Sequence, residues 1–311
     1  MDERIKIQFM NLNIDLLQEK FGKSLIIKEN LSKYSWFNLG GPADIFFRPQ
    51  NKDQLVEFLK DIRKNNFKQH ILGAGSNTLI RDSGVKGVVI KLSSKFSDLK
   101  LLEKDTIEVG AAALDKQVSD FAKKNDISKM EFLSCIPGSI GGAITMNSGC
   151  YGSDISKILL SIKVIDDNGK EKEIKKDEIK FYYRGTDLPK NYIILSAKLQ
   201  GIVSSKQLIE KKQIELIQRK KESQPSQIKT GGSTFKNNSD KKAWMLIKES
   251  GCDKLYVGDA KISEKHCNFF INNGNARTSD IEKLINQVKK EVKTKTGVDL
   301  ELEIKIIGNE K

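Results

Sequence analysis

Apolar residues along this chain form short runs between polar turns, and a few longer segments carry an apolar stripe at helical spacing. One such segment begins after Asn51, which predicts a helix with Asn51 as its N-cap and an apolar face made of Leu55, Phe58, Leu59 and Ile62. Short apolar runs predict strands at residues 43–48, 69–73, 88–90, 106–109, 158–165, 170–174 and 192–199. Short strands mixed with single helices predict an α+β fold.

The pattern also predicts the connections between some of these elements. Asn168-Gly169 lies between the apolar runs at 158–165 and 170–174 and is typical of a type I′ hairpin. Residues 1–30 predict an amphipathic helix followed by a connector, and residues 114–125 predict another helix.

A long charged helix is predicted at residues 205–222, and it stops before Pro225, where Ser and Pro mark a boundary. The chain after this helix predicts a separate α+β module, in which a helix covers residues 241–250 and is closed by Gly251. Apolar runs at 268–271 and 300–307 predict strands, and the second of these alternates, with Glu301 and Glu303 on one side.

The helix between those two strands carries a start signal and a stop signal. Ser279 and Glu282 have the spacing of a capping box, and Gly297 marks the end of the helix. Its apolar face is made of Ile281, Leu284, Ile285, Val288 and Val292.

Two glycine-rich loops are the strongest chemical signal in the chain. Residues 134–152 contain glycines at positions 138, 141, 142, 149 and 152, and residues 72–77 contain Gly73 and Gly75. Glycine lets backbone N–H groups approach a ligand closely and point at an anion. Two such loops predict a pyrophosphate held between them, although each loop alone is equally well explained as a tight turn.

Composition narrows the classes of function. The net charge is +13 over 311 residues, but the lysines are scattered and alternate with acidic residues, which favours a solvated basic surface over a nucleic-acid footprint. Four cysteines without CxxC spacing and two histidines predict no metal site. We expect a soluble cytoplasmic protein, because the first residues do not resemble a signal peptide and no run is long enough to span a membrane.

Three polar sites are candidates for chemistry, and each has a simpler explanation. Arg184 lies between tyrosines and glycine in residues 181–186, which is also typical of a surface cation stacked on aromatic rings. Ser233 lies in residues 231–237, which also fit a turn that enters a strand. Glu303 also fits a carboxylate on the solvated face of a sheet.

The order of the motifs is more specific than any one of them. The chain reads GGPAD at 40–44, GAGSN at 73–77, IPGSIGGAITMNSGCYG at 136–152, YR at 183–184, GGSTFKN at 231–237, HCNFFIN at 266–272 and LELEIKIIG at 300–308. Over residues 30–308 this resembles the UDP-N-acetylenolpyruvoylglucosamine reductase (UDP-N-acetylmuramate dehydrogenase) family. The short connection between Arg184 and Tyr192 is similar to the type II form of that family.

The resemblance implies a three-part architecture. The first two parts form an FAD-binding unit of the vanillyl-alcohol-oxidase-like (PCMH-type) architecture, and an α+β substrate domain follows. We expect residues 1–68 and 300–311 in the first part, 69–203 in the second and 204–299 in the third.

The resemblance also implies a reaction in peptidoglycan precursor synthesis, with FAD as cofactor and NADPH as co-substrate. Hydride from flavin N5 adds to the methylene carbon of a UDP-sugar enolpyruvyl ether, and Ser233 gives the proton to the neighbouring carbon. Arg184 stabilises the developing negative charge, and Glu303 acts as an acid or polarises the substrate carboxylate through a proton, with a pKa that this carboxylate raises.

The binding residues follow from the same resemblance. Those implied for FAD are Gly73, Ala74, Gly75, Ser76, Asn77, Pro137, Gly138, Ser139, Gly141, Gly142, Asn147, Gly149, Tyr151 and Gly152. Those implied for the substrate are Tyr183, Lys236 and Asn237. The chain departs from the family pattern at Lys305, where arginine is usual, at Cys150, where alanine is usual, and at Ser223, where lysine is common.

Two alternatives stay open at this point. A flavin oxidase of the same superfamily, acting on an alcohol or sugar, shares the cofactor loops but needs a base and commonly a covalent flavin link. A non-enzymatic polyanion binder accounts for the charge and predicts salt-sensitive binding to arbitrary DNA without flavin. We expect a monomer that binds only small molecules, with no nucleic-acid or membrane partner.

Overall fold

The computed structural model describes residues 14–64, 67–166, 168–238 and 240–310. Its α-helices are α1 Ile14–Phe21, α2 Lys52–Lys64, α3 Asp115–Lys124, α4 Ile140–Thr145, α5 Lys206–Ser223, α6 Ala243–Glu249 and α7 Thr278–Thr296. The strands up to residue 175 are β1 Leu25–Asn30, β2 Pro42–Phe47, β3 Gln69–Ile71, β4 Thr78–Ile80, β5 Val85–Ile90, β6 Leu99–Leu101, β7 Thr106–Gly110, β8 Ile127–Ser128, β9 Gly149–Cys150, β10 Ser153–Asp154, β11 Leu159–Ile165 and β12 Glu171–Lys175. The later strands are β13 Phe181–Tyr182, β14 Gly185–Thr186, β15 Ile193–Gln200, β16 Ile202–Val203, β17 Lys229–Ser233, β18 Tyr256–Val257, β19 Ala260–Ile262, β20 Phe269–Asn272 and β21 Lys305–Ile307.

The first sheet has the order β1-β2-β5-β3, with β2, β5 and β3 parallel and β1 antiparallel to β2. Helix α2 packs its predicted stripe against this sheet, where Leu55, Phe58, Leu59 and Ile62 are buried. The Asn51 side chain accepts a hydrogen bond from the Gln54 N–H at 2.8 Å, so the predicted N-cap is confirmed.

The second and third sheets are antiparallel. The second has the order β12-β11-β15-β7-β6, and its core also takes in helices α3 and α4 and the start of the second glycine-rich loop. The third has the order β17-β20-β19-β18 and is covered by α6 and α7, whose buried residues form a separate core. The mixed α+β fold predicted from the sequence is confirmed.

Strand β21 returns from the C-terminus to pair in parallel with β4, directly after the first glycine-rich loop. Strands on both sides of residue 68 share the first sheet, since β3 and β5 lie beside β2. The division of the chain into the three predicted ranges stays a prediction.

Four local predictions are corrected. Residues 25–30 are not a connector but strand β1, because their backbone pairs with β2. The hairpin between β11 and β12 is present, but Ile165 pairs with Glu171, so its loop is longer than a two-residue type I′ turn. The C-terminal strand is short, with an isolated bridge from Leu302 to Phe235 preceding β21.

The fourth correction concerns the start of α7. Arg277, not Ser279, precedes the helix, and its N–H donates to Asp280 Oδ2 at 2.9 Å. Glu282 does not cap the helix, because its carboxylate forms a bidentate ion pair with Arg81, in which Arg81 Nη2 lies 3.0 Å from Glu282 Oε2. The end of the helix at Gly297 is confirmed, with φ +75°.

Candidate active site

Arg184 is presented by a tight hairpin between β13 and β14. Tyr182 pairs with Gly185, which leaves Tyr183 and Arg184 as the two turn residues. Arg184 has φ +60°, a left-handed conformation that favours glycine and costs other residues free energy. Its guanidinium carbon lies 4.8 Å from the centre of the Tyr183 ring. The strained residue is therefore held with its charged group over an aromatic face.

Arg184 and Glu303, two of the three predicted catalytic residues, form an ion pair. Arg184 Nε donates to Glu303 Oε1 at 2.9 Å, and Arg184 Nη2 donates to the Gly149 carbonyl at 2.9 Å. Both side chains are largely buried, at 22% and 16% exposed. One guanidinium thus links the hairpin, the second glycine-rich loop and the C-terminal segment.

Burial raises the pKa of the Glu303 carboxyl above its ordinary value, although the positive charge of Arg184 and those of Lys236 and Lys305 oppose the shift. The resemblance implied that the substrate carboxylate raises this pKa, whereas burial in the protein raises it before any ligand binds. Asn77 helps to fix this residue, because its side-chain amide donates to the Glu303 carbonyl at 3.1 Å.

Ser233 ends β17 and is brought to the same place by backbone pairing. The Glu303 N–H donates to the Thr234 carbonyl at 2.8 Å, so Glu303 lies beside the residue that follows Ser233. Gly232 precedes Ser233 with φ +79°, which turns the chain at this point. Ser233 is half-buried, and its hydroxyl has no hydrogen-bond partner within the residues that the structure describes, so it is available to a ligand.

The three residues predicted to bind substrate lie next to this cluster. Asn237 Nδ2 donates to the Tyr183 hydroxyl at 3.3 Å, and Asn237 Oδ1 accepts from the Ala243 N–H at the start of α6. Lys236 forms an ion pair with Glu301. The structure therefore brings Tyr183, Lys236 and Asn237 to the face that carries Arg184.

The first glycine-rich loop, Gly73 to Asn77, connects β3 to β4 and packs against the second loop. A Cβ on Gly73 would lie 2.9 Å from Ser139 Oγ. A Cβ on Gly75, which has φ +72°, would fall on the Tyr34 carbonyl oxygen. Ala74 and Ser76 are half-buried between these glycines. Close backbone packing explains why the loop carries glycine at both positions.

The first part of the second loop lies under the first. Ser139 is the residue that precedes α4, and Gly141 and Gly142 lie in the first turn of that helix. The Gly141 N–H donates to the Ala111 carbonyl at 2.9 Å, whereas Pro137 is exposed. Gly138 lies over the Asp115 carboxyl, since a Cβ there would be 2.5 Å from Oδ2.

The remaining predicted cofactor residues are engaged with other parts of the protein. Asn147 is buried, and its side chain donates to the Tyr182 carbonyl and accepts from the Ser156 N–H, both at 3.1 Å. Gly149 holds Arg184 through its carbonyl. The Tyr151 ring lies 4.7 Å from the Arg219 guanidinium carbon, and Gly152 is an exposed turn residue with φ +85°. Of these four residues, Asn147 and Gly149 contact the hairpin that carries Arg184.

The backbone of the first loop fits a dinucleotide cofactor. Within the described part of the chain, the N–H groups of residues 73–77 have no hydrogen-bond acceptor, and the Ser139 and Gly142 N–H groups likewise have none. A run of free N–H groups at a glycine-rich loop and at the start of a helix is a site for an anion. The loops therefore fit the pyrophosphate of FAD.

Two buried charged residues beside the loops were not predicted from the sequence. The Lys91 ammonium donates to the Gly73 carbonyl, and burial together with the nearby charge of Arg48 lowers the pKa of Lys91 to about 8. The Asp115 carboxyl is fully buried without a partner among the described residues, and burial raises its pKa well above the ordinary value. Nothing in the local sequence separates Lys91 from the many surface lysines.

The described ranges contain no group of three or more His, Cys, Asp or Glu side chains arranged to hold a metal ion. None of the helices in those ranges combines the length and the apolar character that a membrane span needs.

Two family models and several known proteins are similar to this chain. A family model for the C-terminal domain of UDP-N-acetylenolpyruvoylglucosamine reductase matches residues 224–307, and a model for an FAD binding domain matches residues 43–175. The reductase of Pelagibacter ubique (strain HTCC1062) is 48% identical over 93% of this chain and 97% of its own. The reductase of Wolbachia pipientis wMel is 41% identical over 90% of this chain and 94% of its own.

The fold comparison agrees with these matches. The crystal structure of UDP-N-acetylenolpyruvylglucosamine reductase from Thermus caldophilus superposes with a TM-score of 0.79 at 31% identity, covering 91% of this chain and 98% of that chain. Full-length similarity at this level extends over both the FAD-binding part and the C-terminal module. The chain belongs to the UDP-N-acetylenolpyruvoylglucosamine reductase family and is an FAD-dependent oxidoreductase.

Proposed function

We propose that Ser233, Arg184 and Glu303 are the groups with which this chain reduces UDP-N-acetylenolpyruvoylglucosamine to UDP-N-acetylmuramate, using electrons from NADPH. FAD, when bound, supplies the hydride that adds to the methylene carbon of the enolpyruvyl ether. The observation that carries the proposal is the buried Arg184–Glu303 ion pair, held beside the backbone of β17 that presents Ser233.

Arg184 stabilises the negative charge that develops on the substrate carboxylate and its neighbouring carbon. Its guanidinium is prepositioned by Glu303 and by the Gly149 carbonyl, so little reorganisation is needed as the charge develops. The left-handed backbone of Arg184 costs free energy, and this turn position of the hairpin between β13 and β14 requires that conformation.

Ser233 holds the proton that completes the reduction, and it delivers this proton to the carbon next to the carboxylate. The hydroxyl is free among the described residues, and the turn at Gly232 sets its direction. A serine hydroxyl is a weak acid, and the charge of Arg184 favours the loss of its proton.

Glu303 keeps Arg184 in place and carries a proton when the substrate carboxylate arrives. Burial already raises the pKa of Glu303, and a second carboxylate nearby raises it further. A neutral Glu303 can donate a hydrogen bond to the substrate carboxylate, whereas an ionised Glu303 repels it.

The binding residues divide between the two ligands. We assign Tyr183, Lys236 and Asn237 to the sugar nucleotide, because they line the face beside Arg184 and include one cation for phosphate. The free N–H groups of residues 73–77 take the FAD pyrophosphate. We further propose that the chain is monomeric and cytoplasmic and binds neither nucleic acid nor membrane.

The central test is an anaerobic absorption experiment on the purified protein. We expect a yellow protein that bleaches with NADPH and recovers its colour only when UDP-N-acetylenolpyruvoylglucosamine is added. A colourless protein that takes up no added FAD would contradict the proposal. Steady-state NADPH oxidation with and without the enolpyruvyl substrate separates the reductase from a flavin oxidase.

Ser233→Ala tests the assignment of the proton. We expect flavin reduction by NADPH to stay close to wild type and reoxidation by substrate to slow by about 10²–10⁴-fold, because a general acid contributes that much. Stopped-flow absorbance measures the two half-reactions separately. Ser226→Ala, an exposed serine before β17, is the matched control and should change neither rate. Equal slowing of both half-reactions in Ser233→Ala would refute the role.

A further inference from the structure

Two cysteines meet beside the second glycine-rich loop. Cys150 ends β9, and Cys135 ends the 3₁₀ helix Glu131–Cys135. The Cys150 sulfur lies 3.4 Å from the Phe132 carbonyl oxygen of that 3₁₀ helix, and the two thiols lie close enough for each to shift the pKa of the other. Both cysteines are free thiols in the same core, so the pair is arranged for chemistry between its two sulfurs.

The surroundings make the two thiols unequal. The Cys150 thiol, the Ser134 hydroxyl and the positive charge of Lys220 lower the pKa of Cys135 to about 6, against the opposing effect of burial. The contact with Cys135 and burial raise the pKa of Cys150. Lys220 is held close, since its ammonium donates to the Cys135 carbonyl at 2.9 Å. Cys135 is therefore the nucleophile of the pair and Cys150 the resolving thiol.

We propose that Cys135 and Cys150 form an oxidation site for hydrogen peroxide, and that their disulfide switches off the reductase. The Cys135 sulfur attacks one peroxide oxygen, an S–O bond forms, the O–O bond breaks, and hydroxide leaves and takes a proton as water. The Cys150 sulfur then attacks the Cys135 sulfur, the S–S bond forms, the S–O bond breaks, and a second water leaves. Overall, two thiols are oxidised and one peroxide is reduced to two waters.

Burial limits which oxidants reach the pair. Cys135 is only 6% exposed and Cys150 is half-buried, so a small uncharged peroxide fits the access better than a bulky disulfide such as oxidised glutathione. The other two cysteines, Cys252 and Cys267, lie in the C-terminal core away from this pair.

The consequence for activity rests on the proposed function of Arg184. Gly149, next to Cys150 in β9, accepts a hydrogen bond from Arg184 Nη2 at 2.9 Å. A disulfide brings the two sulfurs to about 2.05 Å, much closer than two thiols in contact, so it draws β9 towards the 3₁₀ helix. The Gly149 carbonyl shifts with β9, and the guanidinium loses its alignment with one of the two partners that hold it.

The test treats the FAD-loaded full-length protein with hydrogen peroxide, blocks remaining thiols and digests with trypsin. Both cysteines lie between Lys129 and Lys157 with no Lys or Arg between them, so one peptide reports on the pair. We expect that peptide to carry no blocking group and to be two hydrogens lighter than its reduced, unblocked form. Full conversion to the disulfide should lower activity at least about tenfold, since misalignment of one donor in an active site costs this much or more. Partial conversion should lower activity in proportion to the disulfide fraction. Dithiothreitol should reverse both changes.

Cys150→Ser, compared with its own untreated activity, should form no disulfide and lose the dithiothreitol-reversible inactivation. Cys252→Ser is the matched control and should respond as wild type does. Sulfinic acid on Cys135 without a disulfide, a disulfide without loss of activity, or equal reversible inactivation of Cys150→Ser would each overturn the proposal. If untreated protein lacks reductase activity, the proposed function fails, whereas the peptide mass still decides whether the dithiol site exists.

Discussion

Arg184 shows how much of this site is decided at single residues. It carries a left-handed φ without being glycine, and its guanidinium is fixed by Glu303, Gly149 and the ring of Tyr183. These contacts offset a conformational cost of about 1–2 kcal/mol. Sequence motifs predicted both Arg184 and Glu303, but their direct pairing across 119 positions of sequence depends on the fold.

Lys91 gives a prediction on pH dependence. Its ammonium is buried against the Gly73 carbonyl, and its pKa is lowered to about 8, so the positive charge is lost as pH rises through that value. We expect the affinity of the apoprotein for FAD, an anion, to fall across the same range. Lys91→Met should weaken FAD binding at pH 7 by about tenfold, as for the loss of one charge-assisted hydrogen bond. It should also remove the fall in FAD affinity across this pH range, which we call the pH step. Quenching of flavin fluorescence during titration measures both effects.

The control for this prediction is Lys86→Met, because Lys86 is an exposed lysine of β5, the strand that ends at Ile90 directly before Lys91. It should keep both the affinity and the pH step. An unchanged pH step in Lys91→Met would show that another group controls flavin affinity.

The two glycine-rich loops are the elements on which cofactor binding depends, and their glycines are not equivalent. Gly75 has φ +72° and lies against the Tyr34 carbonyl, whereas Gly169, in the hairpin loop after β11, has the same φ but a nearest neighbour 3.7 Å away from a Cβ. The pair separates the cost of a left-handed backbone from the cost of lost close packing.

We expect Gly169→Ala to lower the free energy of unfolding by about 1–2 kcal/mol, the cost of a left-handed alanine, and to leave FAD content unchanged. Gly75→Ala should lower it further and should yield protein largely without flavin, because the Cβ displaces the loop from Tyr34. Thermal unfolding and the ratio of flavin to protein absorbance measure the two effects. Equal losses in the two variants would contradict the packing argument.

At the scale of the whole molecule, the turn after β4 joins the FAD-binding part to the C-terminal module. Asp82 accepts hydrogen bonds from the Thr278 and Ser279 N–H groups at 2.9 and 3.0 Å, so a residue nearly 200 positions upstream caps α7. The neighbouring Arg81 forms the ion pair with Glu282 of the same helix. Helix α7 is therefore anchored at its start by the other part of the protein.

Asp82→Ala should destabilise the start of α7 by about 1 kcal/mol at neutral pH, a typical value for a lost N-cap. Burial opposes ionisation of Asp82, but the bonds from Ser279 and Thr278 lower its pKa overall. The stabilisation is therefore present above the unfolded carboxyl pKa of about 4 and is lost as pH falls through the folded value.

Hydrogen exchange of the Thr278 and Ser279 amides reports this local effect directly. The difference between Asp82→Ala and wild type should shrink at low pH, and Asp177→Ala, an exposed carboxylate, should show no difference at any pH. Unchanged protection of the α7 amides at neutral pH in Asp82→Ala would show that Asp82 does not stabilise the helix.

Much of this protein follows from its sequence by itself. The stripe of α2, the Asn51 cap, the stop at Gly297 and the two glycine-rich loops are set by interactions among residues close in the chain, and propensity and periodicity describe such interactions. The ordered motifs identified the family, and with it the FAD cofactor, without any knowledge of distances.

Only the tertiary structure decided the contacts that join distant segments. Residues 25–30 carry a weak local signal and become a strand because β2 offers a partner, and Glu282 leaves its expected cap because Arg81 is near. Contacts between segments that are distant in the chain, which no local pattern encodes, pair Arg184 with Glu303. Such contacts also bury Lys91 and Asp115 and bring Cys135 close to Cys150. Burial and long-range pairing set these charges and contacts, and both arise only when the segments pack together.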